Sequence, residues 1–218
     1  MANGQEFTLI CYRKSRDLGL EEPPGPGFLK VPPGYHLGKM TLQGNFSIAA
    51  GYNFAMRHTA ARYKIYLQEG VTIAHRDFLG DILSLFQRYP RLGLLGVIGA
   101  KSLPANGIWW ESPDTCGKIK VAGKVIEGSN TVTGEYESVR VADGILMATQ
   151  YDLPWREDLF RDCYFYDTAQ CLEFIKAGYE VGVIRQTEPW IVGGPGDDLI
   201  FFQEYRRRFV KEYGGLLG

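Results

Sequence analysis

Residues 66–73 read YLQEGVTI, and the parsing of this stretch decides the architecture around it. The preceding KIYL (64–67) has the apolar character of a buried strand, Gln68-Glu69-Gly70 makes a turn, and VTI resumes the apolar alternation. Open α/β sheets bind their ligands beyond the carboxyl ends of the strands. A turn carrying one carboxylate between an amide and a glycine therefore stands at an address for chemistry.

Working outward, SIAAGYNFAMRHTAARY (47–63) sets Ile48, Tyr52, Ala55, Met56 and Thr59 at helical spacing, with Ser47 as N-cap, and leads directly into KIYL. FTLIC (7–11) predicts a first buried strand, and KMTLQG (39–44) a second. Between them the Pro- and Gly-dense EEPPGPGFLKVPPGYHLG (21–38) predicts a long surface loop. Downstream, RDFLGDILSLFQRYP (76–90) reads as an amphipathic helix on Phe78, Ile82, Leu83 and Phe86, and GLLGVIG (93–99) as a strand covered on both faces. This alternation predicts an α/β protein with a three-layer, mostly parallel sheet.

Residues 101–142 break the rhythm, and GKIKVAGKVIEG (117–128) predicts hairpins or a β-rich insertion at the sheet edge. A strand at GILMAT, a loop over 150–165, a helix from about Asp167 to Ala177 stopped by Gly178, a strand at YEVGVI, a loop at PWIVGGPGDD and an amphipathic C-terminal helix complete the chain. With 218 residues the expectation is one domain.

Composition narrows the function. The 24 basic and 25 acidic residues nearly cancel, which argues against nucleic acid as a partner. The locally basic YRRRFVKEY (205–213) suits a solvated helix face, with a phosphate or lipid headgroup, and so a peripheral membrane contact, as the alternative. Cys11, Cys116, Cys163 and Cys171 show no C-x-x-C spacing for zinc, while a Cys163–Cys171 disulfide is conceivable from spacing alone. The N-terminal segment lacks a signal-peptide pattern, and the longest apolar run, LGLLGVIGA, is too short to cross a bilayer. The expectation is a soluble, cytoplasmic protein.

The polar residues at strand-end addresses are Gln68, Glu69, Tyr151, Asp152, Arg156, Glu157, Asp158, Asp162 and Asp167. Asp167, opening a helix, is either a cap or a general base toward a hydroxyl. Asp143-Gly144, between two apolar runs, is either a hairpin turn or a ligand-facing strand break. PWRED (154–158) combines the Trp155 ring, the Arg156 guanidinium and two carboxylates, suited to a phosphate or sugar and equally to ordinary ion pairs. If their segment is extended, adjacent Trp109 and Trp110 cannot both face the core, so one faces a cleft or solvent.

Taken together, AAGYNFAMRHTAARYKIYLQEGVTI (49–73), GVIGAKSLPANGIWWES (96–112), VADGILMATQYDLPWREDLF (141–160), YFYDTAQCLEFIKAGYEV (164–181) and EPWIV (188–192) resemble a branch of the family 2 glycosyltransferase-like proteins. The resemblance implies a GT-A fold, with a nucleotide-binding half over about 1–100 and an acceptor half over about 101–218. It also implies transfer of a sugar, with inversion, from a nucleoside-diphosphate donor to a glycan or other hydroxyl acceptor, usually with Mg²⁺ or Mn²⁺. Asp167 matches the catalytic base. Asn53 matches a position near the nucleotide, Cys11 and Tyr12 the place where its base stacks, and Asp143-Gly144 a donor- or acceptor-facing strand. Gln68, Trp155 and Arg156 join the donor-binding set.

The departures fall on the metal. The branch carries His-Gln-Asp where this chain has Gln68-Glu69-Gly70, and histidines where it has Gly193 and Tyr164. Glu69 is the nearby carboxylate left to ligate a cation, one residue out of step on an extended strand. Two readings follow: a transferase in which Glu69 or a cation such as Arg156 or Arg185 replaces the metal cradle, or an inactive GT-A-fold protein that binds a nucleotide or glycan or serves as an interaction module.

Overall fold

The computed structural model of the chain describes residues 3–13, 28–43, 47–161, 164–193 and 201–218. Strands β1 (Asn3–Arg13) and β2 (His36–Gln43) are followed by helix α1 (Ile48–His58) and strand β3 (Ala61–Leu67). The Ser47 hydroxyl accepts the Ala50 amide at 3.2 Å, so the expected cap starts α1, which buries Tyr52 and Ala55 against the sheet. The turn after Leu67 leads to β4 (Val71–Ile73), helix α2 (Phe78–Arg88), β5 (Leu92–Gly96) and β6 (Ile98–Ala100). Then come β7 (Thr115–Val121), β8 (Lys124–Glu127), β9 (Tyr136–Val139), β10 (Val141–Ala142) and β11 (Leu146–Thr149). Helix α3 (Tyr166–Lys176), β12 (Glu180–Ile184), β13 (Ile191–Gly193) and helix α4 (Phe202–Tyr213) close the chain.

The main sheet has the order β2-β1-β3-β11-β5-β12-β9. Its β1–β2, β1–β3 and β5–β12 pairs are parallel, as the alternating helices and strands require. Strand β11 is wedged antiparallel between β3 and β5, so its first residues lie beside the last residues of β3, with Leu146 opposite Leu67. This inversion brings the Asp143-Gly144 segment to the carboxyl end of the parallel strands.

The interruption at residues 101–142 is more than an edge insertion. A second sheet, ordered β10-β6-β7-β13-β4 with β8 on β7, also draws in VTI and residues 191–193, the latter expected as loop. The hairpin within it is as expected: β7 and β8 pair antiparallel through Ala122 and Gly123, both at positive φ (48° and 79°), the primed turn that fits strand twist. The predicted single strand GLLGVIG divides, β5 joining the main sheet and β6 the second. Glycine permits the crossing, because a Cβ on Gly99 would lie 2.0 Å from the Val141 carbonyl oxygen.

Helix α3 begins one residue earlier than expected and ends before Gly178 (φ 87°), where the Tyr179 amide bonds back to the Phe174 carbonyl at 3.0 Å. Cys11, Cys116 and Cys171 are buried and form no disulfide among the described residues; Cys163 and Asp162 lie outside them. Among the described residues no helix is long and apolar enough to cross a membrane.

Candidate active site

Three chain segments meet at the carboxyl end of β3. The Gln68 amide donates to the Ile145 carbonyl at 3.3 Å, tying the turn after β3 to the segment before β11. The Asp143 amide donates to the Ile98 carbonyl at 2.9 Å, so the same segment is also anchored to β6. Since β10 belongs to the second sheet and β11 to the main one, Asp143-Gly144 is a strand break rather than a hairpin turn.

Helix α3 delivers the third segment. Phe165 precedes it with φ 60°, a left-handed backbone uncommon for a bulky residue, and this bend turns Tyr166 and Asp167 onto the strand break. Asp167 lies inside the first turn of α3, after the N-cap Phe165, and its carboxylate serves both the helix start and the strand break. Its Oδ2 accepts the Gly144 amide at 2.9 Å, and its Oδ1 accepts the Thr168 amide at 2.7 Å and the Thr168 hydroxyl at 3.3 Å. These bonds fix the direction of both carboxylate oxygens. Gly144 is required here: a Cβ would fall 2.3 Å from the Tyr166 hydroxyl oxygen and 2.8 Å from the Asp167 Cβ.

Asp143 and Asp167 thus form a carboxylate pair, Asp167 buried and Asp143 partly exposed. The Asp143 Oδ1 accepts the Ile145 amide at 2.7 Å, and the nearby Trp109 side chain favours its charged form. Burial, then the neighbouring Asp167 charge, pushes Asp143 up to about 7. Burial also raises Asp167, against the opposing hydrogen bonds from Gly144 and Thr168. Tyr166 completes the constellation, its hydroxyl donating to the Gly144 carbonyl at 3.2 Å and accepting from Gln68 Nε2 at 2.5 Å.

Tyr166 and Thr168 have no signal of their own in the sequence beyond lying next to Asp167, and Trp109 is marked there only as one of an adjacent pair of which one member leaves the core. Of the expected site residues, Gln68, Asp143, Gly144 and Asp167 converge on one locus, with Glu69 partly exposed in the adjoining turn. Cys11 and Tyr12 are buried near the carboxyl end of β1, Cys11 alongside Leu67.

The remaining three hold the scaffold. Asn53 clamps the backbone of Trp155, its Nδ2 donating to the Trp155 carbonyl at 2.9 Å and its Oδ1 accepting the Trp155 amide at 2.8 Å. Trp155 is buried against Tyr52, Tyr66 and Tyr166, beneath the strand end. Arg156 joins Asp158 at 2.8 Å, Glu212 at 3.0 Å and Glu173 at 3.6 Å. Glu173 stands six residues along α3 from Asp167, about 9 Å at the helical rise. Arg185 is exposed, its amide bonded to Glu135 beside β9. Arg156 is therefore an ion-pair centre, and neither arginine occupies the metal address.

A Mg²⁺ or Mn²⁺ ion needs several hard oxygen ligands in one place. Strand β13 runs antiparallel to β4 with Gly193 opposite Val71, and a Cβ on Gly193 would lie 2.1 Å from the Gly70 carbonyl oxygen. Both glycines have left-handed backbones, φ 73° at Gly70 and 94° at Gly193. The two expected ligand positions are thus adjacent, carry no side chain and are closed by main chain. Among the described residues no three His, Cys, Asp or Glu side chains gather to hold a metal. Neither glycine position supplies a ligand side chain, and Glu69, just before Gly70 in the turn, is the carboxylate adjoining that address.

Comparison with known proteins supplies the family. No curated protein sequence matches the chain. Among solved structures, TarS of S. aureus superposes with a TM-score of 0.60 at 10% identity, covering 95% of this chain and 39% of TarS. The mannosyltransferase PcManGT from Pyrobaculum calidifontis, in complex with GDP-Man and Mn²⁺, gives 0.57 at 13% identity, covering 94% of this chain and 63% of its own. TarS 1-349 in complex with UDP gives 0.56 at 11% identity, with 95% and 65% covered. The chain spans between 39% and 65% of the length of these structures, and at such identities the likeness is one of fold. The model of the glycosyltransferase-like family matches residues 27–213, and the chain belongs to that family, on a GT-A fold.

Proposed function

We propose that the protein is an inverting glycosyltransferase that moves a sugar from a nucleoside-diphosphate donor to a hydroxyl acceptor, with Asp167 as the base. The observation that carries this reading is the bond from the Gly144 amide to Asp167 Oδ2, which ties the helix carboxylate to the strand break at the sheet's carboxyl end. The Asp167 carboxylate takes the acceptor proton. The acceptor oxygen attacks the anomeric carbon from the face opposite the diphosphate, and the carbon–oxygen bond to the diphosphate breaks with its electron pair on the leaving group. Burial raises the Asp167 carboxyl above its ordinary value, which makes it a stronger base than a solvated aspartate.

In this reading residues 1–100 hold the donor, with Cys11 and Tyr12 at the base and Gln68 and Glu69 at the diphosphate end, and residues 101–218 hold the acceptor. No step of this reading is routed through a cation. The closed contact of Gly193 on Gly70 favours a second reading, a family member that binds a nucleotide or glycan without turnover.

Calorimetry with UDP, GDP and their sugar conjugates, with and without Mn²⁺, decides between them. Binding with slow donor hydrolysis that Asp167→Asn abolishes supports transfer. Binding with no hydrolysis in either protein supports the binder, and the absence of any nucleotide binding rejects both nucleotide readings.

A further inference from the structure

We propose that the indole face of Trp110 is a stacking platform for a sugar ring of the acceptor; this rests on the transferase reading above. The 3-10 turn Trp109–Glu111 divides its two tryptophans. Trp109 is buried near Asp143, whereas Trp110 is 52% exposed. Ordinary amphipathic packing would bury the larger part of such a ring.

The turn is braced. Asn106 Oδ1 accepts the Ile108 amide at 3.0 Å and Asn106 Nδ2 donates to Glu111 at 2.7 Å. The Trp110 ring itself rests edge-on against Trp109 (5.9 Å between centroids) and tilted against Phe202 (5.7 Å). Phe202 is held in turn by Tyr164 and Phe165, the latter at the bend that aims Asp167. A rigid aromatic face is therefore offered to solvent one residue from the tryptophan that lies near the carboxylate pair.

Size and chemistry select the occupant. Among the described residues the exposed apolar side chain next in the chain to Phe202 is Phe201, just ahead of α4, and two rings fall far short of the roughly 800 Å² per partner that a stable protein interface buries. One aromatic face matches the apolar C–H face of a pyranose. The Asn106 and Glu111 side chains beside it supply polar groups for its hydroxyls, the usual combination of apolar surface and few oriented polar groups in a ligand site.

The test uses the full chain and a panel of gluco-, galacto- and N-acetylglucosamine tetrasaccharides in both anomeric linkages, in the presence of UDP or GDP. The Trp110 indole N–H resonance, assigned by its loss in Trp110→Ala, should shift with at least one member. Trp110→Ala should weaken that member by about tenfold or more, Trp110→Tyr should retain much of the binding, and nucleotide affinity should be unchanged.

No shift with any panel member, or binding that survives Trp110→Ala, overturns the platform. A tetrasaccharide that binds through Trp110 without any nucleotide binding sustains the platform while rejecting the transferase. Self-association of the native chain that Trp110→Ala abolishes overturns the proposal in favour of a second copy of the chain.

Discussion

Gly193 lies against Gly70 so closely that a single added carbon on Gly193 would sit 2.1 Å from the Gly70 carbonyl oxygen. Restoring a histidine at 193 should therefore damage the fold before it gains a ligand. Gly193→His combines a left-handed backbone with a clash against main chain, and should cost about 2–4 kcal/mol in denaturant unfolding. Gly70→Asp, in a conformation that aspartate tolerates better, should cost nearer 1 kcal/mol. Adding Mn²⁺ should stabilise neither variant, nor the double one; a rise in the double variant's melting temperature with Mn²⁺ would sink the view that this address is closed.

The Asp143 and Asp167 pair should make stability fall as pH rises. The unfolded chain releases the Asp143 proton near the ordinary carboxylate value, whereas the folded protein holds it to about 7. Between those values the folded state binds more protons, so the penalty is absent below about 3.8, grows through the window and is complete above about 7. Asp143→Asn removes it. Relative to the native protein, the variant should gain on the order of 1 to 4 kcal/mol between pH 4 and pH 8, read by urea unfolding at each pH. Equal pH slopes in the two proteins would contradict the pair.

Transfer or donor hydrolysis should depend on the same two groups unequally. Asp167→Asn removes the base and should lower the rate by roughly 10²–10⁴ with donor affinity retained. Asp143→Asn should keep a measurable rate and an ascending limb of the pH profile, since burial and not the neighbouring carboxylate raises Asp167. Loss of that limb in Asp143→Asn would assign the titration to Asp143.

Gly144→Ala should resemble a site mutation without touching a polar group. The added methyl meets the Tyr166 hydroxyl and the Asp167 Cβ, so the strand break must move off α3 and the Gly144 amide must leave Asp167. The expected result is a loss of about 1–3 kcal/mol together with the loss of activity. Full activity in Gly144→Ala would show that the amide contact is dispensable.

Asn53→Ala tests the opposite kind of residue. It leaves the buried Trp155 amide and carbonyl without their partner and should cost about 2–4 kcal/mol, while nucleotide affinity measured below the unfolding temperature stays within about threefold. A nucleotide affinity lost in a protein that remains folded would return Asn53 to the donor site.

The carboxyl end of β3 was legible as a site because helical and strand periodicities place turns, and turns after parallel strands face ligands. Asp167 could be singled out by its position at a helix start, yet its role as cap or base could not, because capping depends on which amides the carboxylate meets. Those proved to be Gly144, 23 residues away, and its neighbour Thr168. Arg156 illustrates the limit: a guanidinium in PWRED looks the same whether it faces a phosphate or, as here, carboxylates on α3 and α4.

By itself the sequence determined much of the local structure: the Ser47 cap, the hairpin of β7 and β8, the helices and the glycine stop at Gly178 all follow from short-range backbone chemistry. Only the tertiary structure decided that β11 enters the sheet antiparallel, that Asp143 and Asp167 become neighbours, and that Gly70 and Gly193 close on each other. Each is a contact between segments 23 or more residues apart, and side-chain periodicity carries no information about which strand edges will pair or which main-chain atoms will touch across them.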